Sequence, residues 1–211
     1  MKGKRCLIIG GRQSAFEWAA LLHEAGAAAV HVSYRHPTPV FQAADWSWVN
    51  PLVEAMVDNP DWFRNLSKAE KETVNHRLWA EGRLKVEPWL DPRVRKDSVR
   101  LWPSTQVTSC DPLPNCELEV RLGTDDRIRV DHIILATGYR VDIAQVPFLA
   151  RGNVLTRLKT RNGFPVLDKN LQTNIPGLFI TSMPAVQDFG PFFAFTISVR
   201  TSAKLIGQAL R

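Results

Sequence analysis

Apolar residues open the chain as one short unbroken run, Cys6-Leu7-Ile8-Ile9, set between Gly3-Lys4-Arg5 and Gly10-Gly11. A continuous run of this length predicts a strand buried on both faces, the pattern of a parallel sheet. The Ala-rich stretch Ser14 to Ala25 predicts a helix stopped by Gly26, and Ala29 to Tyr34 predicts a second strand. Residues 38 to 51 hold Pro39, Trp46, Trp48 and Pro51 and read as an irregular connection. Two helices are predicted next, over 52–66 and 68–82. The first places Leu52, Val53, Met56 and Val57 at helical spacing. The second opens on Ser67-Lys68-Ala69-Glu70, a capping box, and Gly82 ends it. Residues 99–109 read as strand broken at Pro103. Leu118, Val120 and Leu122 then alternate with Glu117, Glu119 and Arg121 in a strand over 116–122. After a turn at 123–126, Arg127 to Val130 alternates again. This is an antiparallel meander with one face in water. Ile133-Ile134-Leu135 predicts a final buried strand, running into Ala136-Thr137-Gly138-Tyr139.

The first strand, helix and second strand make a βαβ unit of the size that dinucleotide-binding units need. In such a unit the phosphates sit at the helix N-terminus, where free N–H groups and the helix dipole favour negative charge. Against the pattern G-x-G-x-x-G/A, Gly10 is the first glycine, Ala15 fills the third position, and Arg12 stands in place of the second glycine. Its side chain crowds the pyrophosphate approach, yet its guanidinium can grip a phosphate. Gly10, Gly11, Arg12, Gln13, Ser14 and Ala15 are therefore candidate cofactor-binding residues; the alternative is an α/β unit that binds no dinucleotide. At the end of the second strand an NAD site usually places a carboxylate. Here Tyr34 and Arg35 stand instead, and Arg35 suits a 2′-phosphate, which favours NADPH over NADH. The alternative for Arg35 is an ordinary solvated charge. The small-residue turn Ala136, Thr137, Gly138, Tyr139 presents backbone N–H groups of the same kind, or is a plain turn with Gly138 left-handed.

Composition narrows the class. With 45% hydrophobic and 23% charged residues over 211 positions, the chain has the make-up of a globular protein. No apolar run is long enough to span a membrane and no signal peptide is recognisable, so no membrane partner is expected. The net charge of +6 admits nucleic acid, but the basic residues are spread out and no nucleic-acid-binding motif is present, so none is expected as a partner. Cys6, Cys110 and Cys116 form neither a paired-cysteine nor a metal-ligand spacing. No metal is expected, and an odd cysteine count points to reduced thiols in the cytoplasm. Five of the seven tryptophans lie between residues 46 and 89; they line a cavity or, the reading favoured here, pack the insertion.

Gly3-Lys4-Arg5 running into Ile9-Gly10-Gly11, then Gln13-Ser14-Ala15 and Glu17, resembles the NADPH-binding segment of class B flavin-dependent monooxygenases, which include flavin-containing, N-hydroxylating and Baeyer–Villiger enzymes. Leu135 to Tyr139 resembles another hallmark of that group. Asn162 to Asp168, with Thr173 and Ile175 to Thr181, resembles its return into an FAD domain. The resemblance implies an α/β fold: a Rossmann-like NADP-binding domain over 1–140, with parallel sheet, antiparallel meander and a helical insertion at about 38–92, and a C-terminal piece of an FAD-type domain over 141–211. It implies that Asp188, Gly190, Pro191 and Phe192 form a flavin-contacting loop, although Asp188 reads equally well as a helix N-terminal acid. It implies hydride transfer from NADPH to FAD and oxygenation of a small-molecule substrate, with no catalytic acid or base named. A second Gly-rich βαβ unit, which the group uses for FAD, is not found. FAD is thus expected to bind weakly or only with a complementary FAD-domain chain. Phe189, Phe192, Phe193 and Phe195 are expected to form an exposed patch that drives self-association or partner binding. The rival reading is a non-catalytic NADP-binding module or partner subunit. A disulfide reductase is disfavoured, because that chemistry needs paired cysteines.

Overall fold

The βαβ unit forms in the computed structural model, which describes residues 1–211. β1 is Arg5–Ile9, α1 is Gln13–Glu24 and β2 is Ala29–Ser33. Cys6, Leu7 and Ile8 are fully buried, which is why β1 shows no polar alternation. α1 stops in a Schellman motif: Ala27 N donates to Leu22 O at 3.0 Å and Gly26 N to His23 O at 2.9 Å, with Gly26 at φ 79°. The chain continues through β3 (Val40–Phe41), α2 (Val49–Ala55), α3 (Trp62–Asn65), α4 (Lys68–Arg83), β4 (Lys85–Val86), α5 (Asp91–Val94) and β5 (Val99–Trp102). β6 (Val107–Pro112), β7 (Leu118–Leu122) and β8 (Arg127–Val130) follow, then β9 (His132–Leu135), α6 (Pro147–Ala150), β10 (Thr160–Arg161), β11 (Phe164–Pro165), α7 (Val186–Phe189) and α8 (Val199–Ala209).

Two compact units result, one of residues 1–44 and 79–138, the other of residues 45–78 and 139–211. In the first, β5-β2-β1-β9 form a four-stranded sheet in that order, every pair parallel. β6-β7-β8 form a separate antiparallel sheet. One face of the parallel sheet, including Cys6, Ile8, Val30 and Val32, packs with α1 and with Val86, Leu90 and Val94. Leu7 and Trp102, on its other face, cluster with Val120, Leu122 and Val130 of the meander. The predicted α/β class, parallel sheet and wet-faced meander are all present.

An ion-pair network fixes the start of β1. Asp131 accepts from the Arg5 backbone N at 2.7 Å and from Arg5 Nε at 3.2 Å, and Lys4 Nζ lies 3.7 Å away. The Arg5 side chain first, then its backbone N–H, holds the Asp131 carboxyl at about 2, below its ordinary 3.8. A depressed carboxylate contributes its stability above the unfolded pKa and loses it as pH falls through the folded one. The contribution is therefore expected to fade between about pH 4 and pH 2. Acid unfolding followed by circular dichroism checks this: Asp131→Asn should be less stable than the parent at pH 6, with the difference closing by pH 2.

The second unit departs from the expectations of the sequence in instructive ways. The helix expected over 52–66 is broken into α2 and α3 around Pro60, which cannot donate a backbone N–H and disfavours helix before it. The capping box is made as expected, with Ser67 N donating to Glu70 Oε2 at 2.8 Å and Glu70 N to Ser67 Oγ at 3.3 Å. In the first unit, Cys116 lies in a turn at φ 64° rather than in the strand, and β7 begins two residues later. The exposed phenylalanine patch does not exist. Phe189, Phe192 and Phe193 are fully buried with Val49, Val53 and Met56, and only Phe195 is exposed. The reason is that residues 45–78 fold with 139–211 and supply the apolar cover.

Candidate nucleotide-binding site

The turn after β1 is closed by two glycines. Gly10 sits at φ 142°, and a Cβ there would overlap the Ala136 carbonyl just beyond β9. Gly10 N donates to Ser33 O at 3.0 Å and Ala136 N to Ile9 O at 2.8 Å, so the ends of β1, β2 and β9 are tied together. A Cβ on Gly11 would run into the Tyr34 ring. Arg12 then takes the N-cap position in extended backbone, with no side-chain cap and no acid in the first turn of α1. The leading N–H groups of α1, on Gln13 and Ser14, thus lack the partner a capping side chain would give. This is the electrostatic end of a helix that favours an anion. Ala15 is buried and packs in the core with Phe16, a position where a larger side chain would push α1 off the sheet.

The side chains around the turn divide between scaffold and surface. Gln13 bridges, donating to Glu17 Oε1 at 2.8 Å and accepting from the Glu87 N–H at 3.0 Å. Ser14 is exposed. Tyr34 is a core residue: its ring meets Phe16 edge-on at 5.8 Å and its hydroxyl bonds Thr38 Oγ1 at 2.8 Å. Burial pushes its phenol up. Arg35 is exposed and forms no salt bridge, and the carboxylate of an NAD site is missing from its neighbourhood in sequence. Thr137 and Gly138, the latter at φ 88°, are exposed past the end of β9.

Trp79 and Arg83 were not apparent as site residues in the sequence. Arg12 donates an Nη1 hydrogen bond to the Arg83 carbonyl, and its guanidinium carbon lies 5.3 Å from the Trp79 ring centroid. The signal available was their i, i+4 spacing, which puts both on one face of α4.

In the second unit, Tyr139 is 93% exposed. The loop expected to touch flavin is mostly committed to the protein itself. Asp188 is buried and accepts from Arg161 Nη2 at 3.0 Å and from the Leu167 N–H at 3.0 Å. Gly190, at φ 92°, is buried, and a Cβ there would lie 2.9 Å from the Phe63 ring. Phe192 is fully buried edge-on to Trp48 at 5.3 Å, and Pro191 is half-buried. The Asp188 carboxylate and the Phe192 ring are thus engaged within the protein. All three cysteines are free, with Cys6 buried. No group of three or more His, Cys, Asp or Glu side chains gathers to hold a metal. No helix is long and apolar enough to cross a membrane.

A parallel sheet with a Gly-closed turn feeding an uncapped helix has the build of a Rossmann-type domain. Residues 62–181, more than half of the chain, match the pyridine nucleotide-disulphide oxidoreductase family, and the chain belongs to that family. The matched stretch contains Ala136 to Tyr139 and begins after the Gly10 turn. No curated protein matches the chain.

Among solved structures it is similar to the ornithine N-hydroxylase of Kutzneria sp. 744 with reduced FAD, NADP+ and L-ornithine, at 16% identity and TM-score 0.65, covering 99% of this chain and 54% of that one. It is also similar to the reduced ornithine hydroxylase of Pseudomonas aeruginosa, at 17% identity and TM-score 0.69, covering 100% and 54%. A third similar structure is the thioredoxin reductase of Lactococcus lactis, at 15% identity and TM-score 0.55, covering 100% and 53%. At these identities the likeness is one of fold. The chain spans about half the length of these structures.

Proposed function

We propose that residues 1–44 and 79–138 bind NADP(H) at the ends of β1, β2 and β9, and that the chain is the NADPH-binding portion of a flavin-dependent, monooxygenase-like oxidoreductase acting on a small molecule. The observation that carries this reading is the uncapped N-terminus of α1, held open at the Gly10 turn in a chain of a pyridine-nucleotide family. The Gln13 and Ser14 N–H groups would donate to phosphate oxygens, and the backbone of Ala136, Thr137 and Gly138 would lie beside the nucleotide. Bound NADPH supplies a hydride; the protein supplies position and charge.

Arg35 selects the 2′-phosphate. A charge-assisted contact is worth about 1.5–3 kcal/mol, so Arg35→Ala should cut the NADPH-over-NADH preference by about tenfold or more. Calorimetric titration of parent and variant with both nucleotides tests this. Equal affinity of the parent for the two nucleotides contradicts it.

Residues 141–211 are the FAD-facing piece in this reading. With Asp188 and Phe192 engaged internally, FAD binds this chain weakly, or only when a complementary FAD-domain chain or further sequence completes the site. The internal engagement of Asp188 and Phe192 favours a second reading, a non-catalytic NADP-binding module. Titration with FAD, of the chain alone and together with a complementary FAD-domain chain, separates them: flavin bound and bleached by NADPH in either mixture supports the oxidoreductase, and NADPH binding with no flavin bound in both supports the module.

A further inference from the structure

Position 12 is where a dinucleotide-binding turn carries its second glycine, so that pyrophosphate can approach bare backbone. Arg12 places a Cβ there, in extended backbone at φ −119° and ψ −174°. Its guanidinium is held from outside the turn. It donates to the Arg83 carbonyl in the last turn of α4, and the ring of Trp79, half exposed, lies beside it. A helix C-terminus favours a cation in this position. A guanidinium has five N–H donors; Arg12 gives one to Arg83 O, so four are left for a ligand.

The charges that act on Arg12 are unbalanced. Partial burial, and then repulsion from the Arg83 side chain, push its pKa down, and no carboxylate counters them. Glu81, the acid nearest to Arg83 in sequence, is paired with Lys85 at 2.7 Å. Two guanidiniums close enough to repel, beside a half-exposed aromatic face and next to the uncapped start of α1, are relieved by a multivalent anion.

We propose that Arg12, positioned by the Arg83 carbonyl and the Trp79 ring, is the pyrophosphate ligand of the nucleotide site and replaces the backbone approach given elsewhere by glycine. Arg83 is the second cation over the same phosphates. The end of α4 thereby becomes part of the nucleotide site. This assignment rests on the NADP(H) reading of residues 1–44 and 79–138.

The test is calorimetric titration of the full chain with NADPH and with inorganic pyrophosphate. Arg12→Gly recreates the standard glycine pattern, so the two explanations diverge in sign. If Arg12 is the ligand, Arg12→Gly weakens NADPH binding by roughly ten- to hundredfold and removes pyrophosphate binding, the loss expected for a charge-assisted pair. Arg12→Lys, which keeps charge but not the planar fork, falls between. Trp79→Leu weakens binding severalfold by releasing the guanidinium. If Arg12 is an obstruction, Arg12→Gly binds NADPH as tightly as the parent or more tightly, which overturns the assignment alone. Should Arg12→Gly misfold, Arg12→Gln, which leaves backbone freedom unchanged, separates the two explanations by the same loss or retention of affinity. A parent chain that binds neither probe overturns the nucleotide reading and this assignment together.

Discussion

Gly10→Val should abolish NADPH binding and markedly destabilise the unit built on the parallel sheet. Gly10 sits at φ 142°, where L side chains are strained, and a Cβ there overlaps the Ala136 carbonyl, a backbone atom that cannot swing aside. Strain of this kind costs about 1–3 kcal/mol, and overpacking costs about 1–3 kcal/mol more. The hydrogen bonds that join the ends of β1, β2 and β9 pass through the same residues, from Gly10 N to Ser33 O and from Ala136 N to Ile9 O. Moving Gly10 therefore disturbs every element that would flank a nucleotide. Denaturant unfolding should show the lost stability, and calorimetry should show affinity reduced more than about hundredfold. Gly10→Ala carries the same overlap in a smaller side chain and should show both effects in weaker form. NADPH affinity within about twofold of the parent for Gly10→Val contradicts the placement of the site.

Phe192→Ala is expected to cost about 3–5 kcal/mol of stability, the range for emptying a fully buried aromatic site. Phe192 has no exposed surface and meets Trp48 edge-on, among Val49, Val53, Phe189 and Phe193. NADPH affinity should stay within about twofold of the parent in whatever fraction remains folded. Thermal unfolding and titration on the same preparation decide the matter. A variant of unchanged stability would mean that Phe192 faces a ligand rather than a core.

These two positions mark what the sequence made legible and what it did not. The first unit was readable because its signals are local. An unbroken apolar run, an Ala-rich helix with a Gly stop and an alternating meander each specify one element, and the parallel order follows from burying both faces of β1. The capping box at Ser67 and Glu70 was readable for the same reason, since both of its bonds lie within one helical turn. The second unit was misread where the answer depended on distant partners. Four closely spaced phenylalanines look like a sticky surface until residues 45–78 cover three of them. Asp188 looks free until Arg161 and the Leu167 N–H take its oxygens. The helical spacing from Leu52 to Val57 says nothing of the break at Pro60, which splits the expected helix into α2 and α3. At the nucleotide site, Gly10 and Arg12 were legible as a broken motif. The contact that holds Arg12 comes from Arg83, 71 residues away in the chain, and no local pattern announces it.

The central claim, that the Gly10 turn and the strand ends beside it hold NADP(H), is tested most directly by hydrogen exchange of the full chain with and without saturating NADPH. The account predicts slowed exchange over residues 10–16, 34–36 and 136–138, and unchanged exchange across the β6–β8 meander. Protection that falls elsewhere while these three segments exchange at their unliganded rate would contradict it.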